Sequence, residues 1–446
     1  MATELDFLAR PAAPDPELSG KRLMILGGGL WQLEYVRRAR QLGLETWVTD
    51  WSPQAVARGE ADHFDPIDLK DQDATLALAA RARIDAVLTA ADIGVPTAAY
   101  VAERLGLAGH SRAQAEYATN KFKMRQRSSE LGIRCPAYRL VRSAADAAAV
   151  IATQRLPVIV KPVDNCSSRA VRWIDRVSEL EPAVTASLEA SRGGEALVEE
   201  FLVGDEGSIE ALVQDGCVTI LGICDKTKSP LPDRFDLGLR YPGAYDAEVW
   251  REIESLASRI AAGFGVRNGI LHIEFLVARD TRTVYLIEFA IRGCGSKVVT
   301  HLMPALTGID VVRIVIRQAL GLETPIQPTR ALHGALHFLM FPRGRVVAIR
   351  GVDAAKQLPG VIDVCIERSP GDVIDEVHDG RSRPGHVLIA GSDRAAVQRT
   401  FEEVCTRVRI DYEHVRDVAP AGEPAALNHL RQGYGGQEGP PHDNTA

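Results

Sequence analysis

Hydrophobic and polar positions change their period several times along the chain, and each change marks a different kind of element. Arg22-Leu-Met-Ile-Leu26 is a short apolar run that reads as a buried strand, and Gly27-Gly28-Gly29 reads as a tight turn. Leu30 to Leu42 has apolar residues at helical spacing, and Glu45 to Thr49 reads as a second strand ending at Asp50. A further strand at Ala86–Thr89 and a helix from Val95 to Leu105 continue the alternation to about Gly109. Strands alternating with helices predict a doubly wound parallel sheet.

Beyond this point the pattern is less regular. Leu156 to Lys161, Glu195 to Leu202, Ser208 to Val213 and Cys217 to Gly222 read as strands of a smaller α+β unit. An amphipathic stretch from Glu248 to Phe264 then leads into two strands, Leu271 to Val277 and Thr283 to Phe289. Strands at Ala335 to Phe341 and Gly385 to Ala390, with a helix from Asp393 to Val408, mark a third unit, a small α+β C-terminal domain. The ends differ in kind. Residues 1–20, with Pro11, Pro14 and Pro16, lack a periodic apolar face and read as an arm; residues 418–446, rich in Gly, Gln and Pro, cannot bury a core and are expected to be disordered.

Length and composition narrow the class. A chain of 446 residues allows two to four domains; with 46% hydrophobic and 25% charged residues it is globular, and it has no apolar run of the ~18 residues a membrane span needs. The seven cysteines form no tight metal-ligand spacing, so a reducing cytoplasm is expected, and a formal charge of −7 argues against non-specific nucleic-acid binding. The Gly27-x-Gly29-x-x-Gln32 turn with Asp50 nearly matches a dinucleotide fingerprint but lacks its third glycine, so it is read as a tight turn or a substrate contact in preference to a nicotinamide site.

Candidate chemistry lies further along. A triphosphate needs fixed positive charge, and two lysines stand in suitable settings: Lys121 in Asn120-Lys-Phe-Lys at a helix start, and Lys161 at the end of an apolar strand. The small polar loop after Lys161, with Ser167, Ser168 and Arg169, could fold over phosphates or be a plain turn. In Val198-Glu199-Glu200-Phe201-Leu202-x-Gly204-x-Glu206, a strand end offers backbone groups to a base and a carboxylate to sugar hydroxyls. Glu274 and Glu288 each sit among apolar residues, where an isolated carboxylate would be costly; across a hairpin turning at Arg279 to Arg282 they could share one face as a hard oxygen site for Mg²⁺, or they could be paired with arginines. Arg292, in Arg292-Gly-Cys-Gly295, could hold an oxyanion at two points or form a structural ion pair.

In this order the motifs resemble the ATP-grasp superfamily from about Lys21 to Tyr412: Gly-Gly-Gly at the first turn, Asn120-Lys121, Pro157-x-x-x-Lys161-Pro, Glu199-Glu-Phe-x-x-Gly204-x-Glu206, His272-x-Glu274 and Glu288-Phe-x-x-Arg292. The resemblance implies a pre-ATP-grasp domain at 21–117, an ATP-grasp domain at 118–328 with a lid subdomain at about 140–205, and a C-terminal accessory domain at 329–417. It implies that Lys121, Lys161, Ser167 and Ser168 bind ATP phosphates, Glu199, Phe201 and Leu202 the adenine, Glu206 the ribose, and Glu274 and Glu288 Mg²⁺, with Mn²⁺ able to substitute. Arg292 is expected to stabilise an acyl phosphate and its tetrahedral adduct. Within the superfamily the likeness is to L-amino acid ligases, carried partly by His337-Phe-Leu-Met-Phe-Pro342-x-Gly344, Pro370-Gly-Asp372 and Arg383-x-Gly385-His386. The implied activity is ADP-forming ligation of a small-molecule carboxylate to an amine, in a cytoplasmic homodimer.

Two positions depart from the pattern. Ala290 stands where many relatives carry a metal-binding Asn, and in the amino-acid-binding stretch Asp236 and Gly238-Leu239 stand where Glu and Gly-His are expected. Asp236 and Gly238 are therefore candidate substrate contacts in an altered pocket. A bicarbonate-dependent carboxylase or purine-pathway relative, and a non-catalytic ATP-binding module, are the competing expectations.

Overall fold

The structure, a computed structural model, describes residues 14–151, 155–166 and 168–413. Ser167 and the 418–446 tail lie outside the described residues. The chain runs through β1 (Arg22–Leu26), β2 (Glu45–Thr49), β3 (His63–Asp65) and β4 (Ala86–Thr89), which form a parallel sheet in the order β3-β2-β1-β4. Its helices start and stop on local signals: Asp71 caps the helix Gln72–Ala82 by accepting from the Ala74 N–H, and Gly106, at φ 67°, ends the helix Val95–Leu105. Leu23, Ile25 and Val36 pack with Val312 and Ile316 of the helix Val311–Ala319, so this sheet shares a core with a helix from far along the chain.

The reading of residues 1–20 as an arm fails at its described end. Leu18 is fully buried, and the Asp15 carboxylate accepts from Arg317 at 2.8 Å and Arg313 at 3.0 Å. These partners are about 300 positions away, beyond the reach of any local pattern.

Next comes a four-stranded antiparallel sheet of β5 (Tyr138–Val141), β6 (Val158–Pro162), β7 (Arg172–Ile174) and β8 (Ala196–Glu200), in the order β5-β8-β6-β7. The helix Val177–Ala190 packs on it through Leu180, Ala183 and Val184.

The largest layer joins β9 (Gly204–Gln214), β10 (Cys217–Lys228), β11 (Asp236–Tyr241), β12 (Gly269–Ala278), β13 (Val284–Ala290) and β14 (His333–Phe338). After β15 (Gly344–Arg350) it gains β16 (Val361–Ile366) and, beyond β17 (Val373–Ile374), β18 (Gly385–Gly391). The order is β13-β12-β9-β10-β11-β14-β18-β16, while β19 (Arg409–Tyr412) pairs with β15 in a separate small sheet. Alternation sets the two faces of the large sheet. Ile209, Ala211 and Val213 of β9 and Leu271, Ile273, Phe275 and Val277 of β12 pack on the amphipathic helix Ala247–Gly263, while Glu206, Ser208, Glu210, His272 and Glu274 take the opposite positions. That second face carries the polar chemistry.

Candidate active site

Antiparallel register places Glu274 of β12 directly opposite Glu288 of β13. Two carboxylates at one level would repel, and each is held by a cation. Lys226 Nζ lies 2.9 Å from Glu274, whose other oxygen lies 3.3 Å from His272 Nε2, and Lys121 Nζ lies 3.1 Å from Glu288. Burial alone would raise the Glu274 pKa, but Lys226 and His272 outweigh it and hold the carboxyl well below its usual range. Glu210 grips the far ring nitrogen of His272, and despite burial these two acids raise the imidazole to about 9. His272 is therefore cationic at neutral pH.

Lys121 arrives at this point because Asn120 caps the helix Lys121–Glu130, accepting from the Lys123 N–H at 3.1 Å. Its ammonium also donates to the carbonyl of Asn165 at 2.6 Å, which ties the helix start to the loop after β6. Burial lowers its pKa, but Glu288 more than compensates, so the net shift is upward. Lys161 follows from alternation: Val158 and Val160 enter the core beneath β6, which turns Ile159 and Lys161 toward the cleft.

Glu199 lines the cleft with Phe201 and Leu202 and is also engaged by protein groups. Its carboxylate is buried between Arg125 Nε at 2.9 Å and Lys161 Nζ at 2.6 Å, and Arg125 also donates to the Ile287 carbonyl of β13 at 2.6 Å. A carboxylate so engaged positions Lys161 and joins the small sheet to the large one. For the Lys161 ammonium, burial together with Arg125 and Lys121 outweighs Glu199 and lowers the pKa.

Two cavities meet here. One, of about 180 Å³, is lined by Lys161, Ser168, Phe201, Leu202, Glu206, Asp236, Glu274 and Glu288 among others. Glu206 in its wall is held by Arg234 at 2.6 Å and Lys228 at 3.0 Å, and Asp236 by Lys228 at 2.9 Å and Lys226 at 3.4 Å. Gly238 is buried on β11 opposite Thr227 and does not line either cavity. The other cavity, of about 260 Å³, shares Lys121, Asn165, Cys166, Arg169 and Glu288 with the first and adds Asp92 and Arg292. There the Arg292 guanidinium donates from Nε and Nη2 to the two oxygens of Asp92, at 2.9 and 2.8 Å, and from Nη1 to the Gly293 carbonyl at 3.0 Å. Arg292 is thus in an ion pair and at a cavity wall at once, which combines the two readings its sequence left open.

Asp92, Arg125, Glu210, Lys226, Lys228 and Arg234 escaped sequence reasoning. For Lys226 and Lys228 a signal existed: spaced by two, they lie on one face of a strand that continues past Gly222 to Lys228. Asp50, the candidate ribose acid of a dinucleotide site, instead accepts from the Gly28 N–H at 2.8 Å and the Ser52 N–H at 2.9 Å, and so braces the glycine turn.

Comparison with known proteins agrees with this geometry. Residues 154–301 match the model of the ATP-grasp domain, and residues 337–413 match that of the L-amino acid ligase C-terminal domain 2. By these matches the chain resembles ligases built on the ATP-grasp domain, and residues 154–301 carry Lys161, Glu199, Glu274, Glu288 and Arg292. Its C-terminal region is of the kind found in L-amino acid ligases. It is 26% identical to the alanine--anticapsin ligase of Bacillus subtilis over 254 residues, covering 52% of this chain and 53% of that protein. It is also 26% identical to a formate-dependent phosphoribosylglycinamide formyltransferase of Chlorobaculum tepidum over 351 residues, 76% of this chain and 86% of that one. The fold is shared with an L-amino acid ligase from Bacillus licheniformis, with a TM-score of 0.75 at 24% identity over 89% of this chain and all of that one. Among the described residues no single helix is long and apolar enough to cross a membrane.

Proposed function

We propose that this cleft joins an amino-acid-type carboxylate to the amine of a second amino-acid-type molecule. A carboxylate oxygen attacks the γ-phosphorus of ATP and ADP departs. The amine nitrogen then attacks the acyl carbon, phosphate leaves, and the nitrogen gives up a proton as the amide forms. The observation that carries this reading is the register of Glu274 against Glu288, with Lys121, Lys161 and Arg292 converging on the same pair of cavities.

Lys121, Lys161 and the loop around Ser168 neutralise and orient phosphate oxygens, and catalysis by positioning and charge suits phosphoryl transfer, which needs little covalent help from the protein. Phe201 and Leu202 supply an apolar wall for the base, and Glu206 faces the ribose. Glu274 and Glu288 are the residues that would hold Mg²⁺ or Mn²⁺; both offer hard oxygens to one space, so the donor set fits, and the ion supplies charge neutralisation on the phosphates. Ala290 lies opposite His272 in the same hairpin and offers only a methyl group. Asp236 is drawn toward Lys226 and Lys228, leaving an acceptor pocket that differs from one built with a longer Glu. The reading includes a cytoplasmic homodimer, which light scattering of the purified protein tests.

The decisive experiment incubates the protein with ATP, Mg²⁺ and pairs of amino acids, measuring phosphate release and product mass. Amide products that appear with ADP are expected. Phosphate release that responds to bicarbonate and not to any amino acid overturns the reading in favour of a carboxylase.

A further inference from the structure

At the far edge of the large sheet, six strands from the paired acids' strand β12, lies a second group of chemically active side chains. Cys365 of β16 is the register partner of His386 on β18, and Glu367 follows Cys365 by two positions, just past the end of β16. The strands approach closely here: a Cβ added at Gly385 would stand 2.5 Å from the Cys365 carbonyl. One ligand atom from each of Cys365, Glu367 and His386 lies within 4.8 Å of the others.

His386 makes this more than a chance grouping. It is fully buried, yet among the described residues neither ring nitrogen has a hydrogen-bond partner. A buried imidazole left so is costly, and such groups call for a ligand or an ion. Its Nδ1 is 3.7 Å from a Glu367 oxygen, too long for a hydrogen bond. Two ligands at ~2.0–2.1 Å from one tetrahedral ion stand about 3.3 Å apart, so a small contraction converts this gap into shared coordination. The aromatic rings of Trp31, at 5.6 Å, and Phe338, at 6.4 Å, flank the imidazole and limit its reorientation.

We propose that Cys365, Glu367 and His386 bind a borderline divalent metal ion of the Zn²⁺ type. Thiolate, imidazole and carboxylate together suit such an ion and do not suit Mg²⁺, which takes oxygen donors. The Glu367 side chain is 38% exposed, so the ion enters from that side and keeps a water as fourth ligand. Binding displaces the thiol proton to solvent. The ion then pins the edge strand β16 to β18 beside Trp31 of the first domain.

The test uses Co²⁺ as a spectroscopic substitute, with excess Mg²⁺ present to occupy the oxygen site at Glu274 and Glu288. Equilibrium dialysis of the metal-stripped full chain should retain one Co²⁺ per chain with a thiolate-to-cobalt charge-transfer band. The band should vanish in Cys365→Ser, and retention should fall to background in His386→Phe and weaken in Glu367→Gln. A second thiol, Cys294, lies near Glu210 and His272, so Cys294→Ser is the control and should leave the band unchanged. No retained Co²⁺ in the wild type overturns the proposal, as does a band that survives Cys365→Ser. Should His386→Phe fail to fold by circular dichroism, Cys365→Ser and the exposed Glu367→Gln decide the matter.

Discussion

The Arg292 guanidinium has five N–H donors, and the structure accounts for three of them: Nε and one on Nη2 go to Asp92, and one on Nη1 goes to Gly293. The two that remain, one on each terminal nitrogen, form an edge suited to two oxygens of a developing oxyanion. Arg292→Lys keeps a charge but can present only one donor direction, and it leaves part of Asp92 unsatisfied. Loss of an oriented donor to a developing oxyanion costs roughly 2.7–4 kcal/mol, so turnover should fall by about 10²-fold or more. The abandoned Asp92 oxygen should cost about 1–3 kcal/mol of stability in addition. Asp92→Asn separates the two effects, because it keeps the shape and one hydrogen bond while releasing the guanidinium from its two-point anchor. The assay is product formation with saturating ATP, alongside nucleotide affinity and thermal melting on each variant. Near-normal product formation by a folded Arg292→Lys enzyme would refute the role assigned to the free edge, and a loss of melting temperature with full turnover would reduce the pair to a structural tie.

Glu288→Gln should abolish ADP formation while the fold persists, since one hard ligand is lost and Lys121 loses its counter-charge; unchanged ADP release at saturating Mg²⁺ contradicts this. Lys161→Ala should remove ATP turnover and weaken nucleotide binding, which calorimetry with ADP checks. Asp15→Asn should lower stability by about 1–3 kcal/mol by weakening the bonds from Arg317, which keeps Glu17, and from Arg313, and a melting curve that does not move shows that residues 14–20 dock weakly. His337, stacked on Phe401 at 4.0 Å, has its pKa pushed down by burial and by Arg240 to about 3. Its neutral form is the folded form, so its contribution is complete above the unfolded value near 6.5 and is lost as pH falls toward the folded one, on the order of 2–3 kcal/mol by pH 4.5. Denaturant melts of wild type and His337→Leu from pH 7 to 4.5 should therefore converge on acidification, and parallel curves count against it.

Elements whose residues face one core were readable from the chain. The helix Val95–Leu105 and the strands Arg22–Leu26, Glu45–Thr49 and Ala86–Thr89 stand where apolar periodicity puts them, and the hairpin of Glu274 and Glu288 follows from alternation. Strand β10 shows where that signal ends. Asp225-Lys-Thr-Lys228 has no apolar residue to extend the strand read at Cys217 to Gly222, yet in the fold these lysines face Glu206, Asp236 and Glu274, so that charge pairing takes the place of apolar burial. Glu199 illustrates a related limit: a strand-end acid looks free for a ligand until Arg125, 74 positions earlier, claims it. The same holds for Asp92 and Arg292, 200 positions apart. No local window contains such a pair, and the resemblance to a family names one member of each, Glu199 and Arg292, without the partner that holds it.

The continuity of the large sheet bears on how such enzymes can be recombined. Because β11 carries Asp236 on the cleft and hydrogen-bonds along its other side to β14, the C-terminal region is stitched to the cleft wall by backbone ladders. A chimera cut between Leu322 and Leu332 would strip β11 of its neighbour and bare an edge ready to pair with other chains. Substrate preference in this scaffold is therefore better shifted by side chains along β10 and β11 than by exchanging the C-terminal module, and donors for any exchange must match the ladder from Gly238–His337 to Tyr241–Gly334.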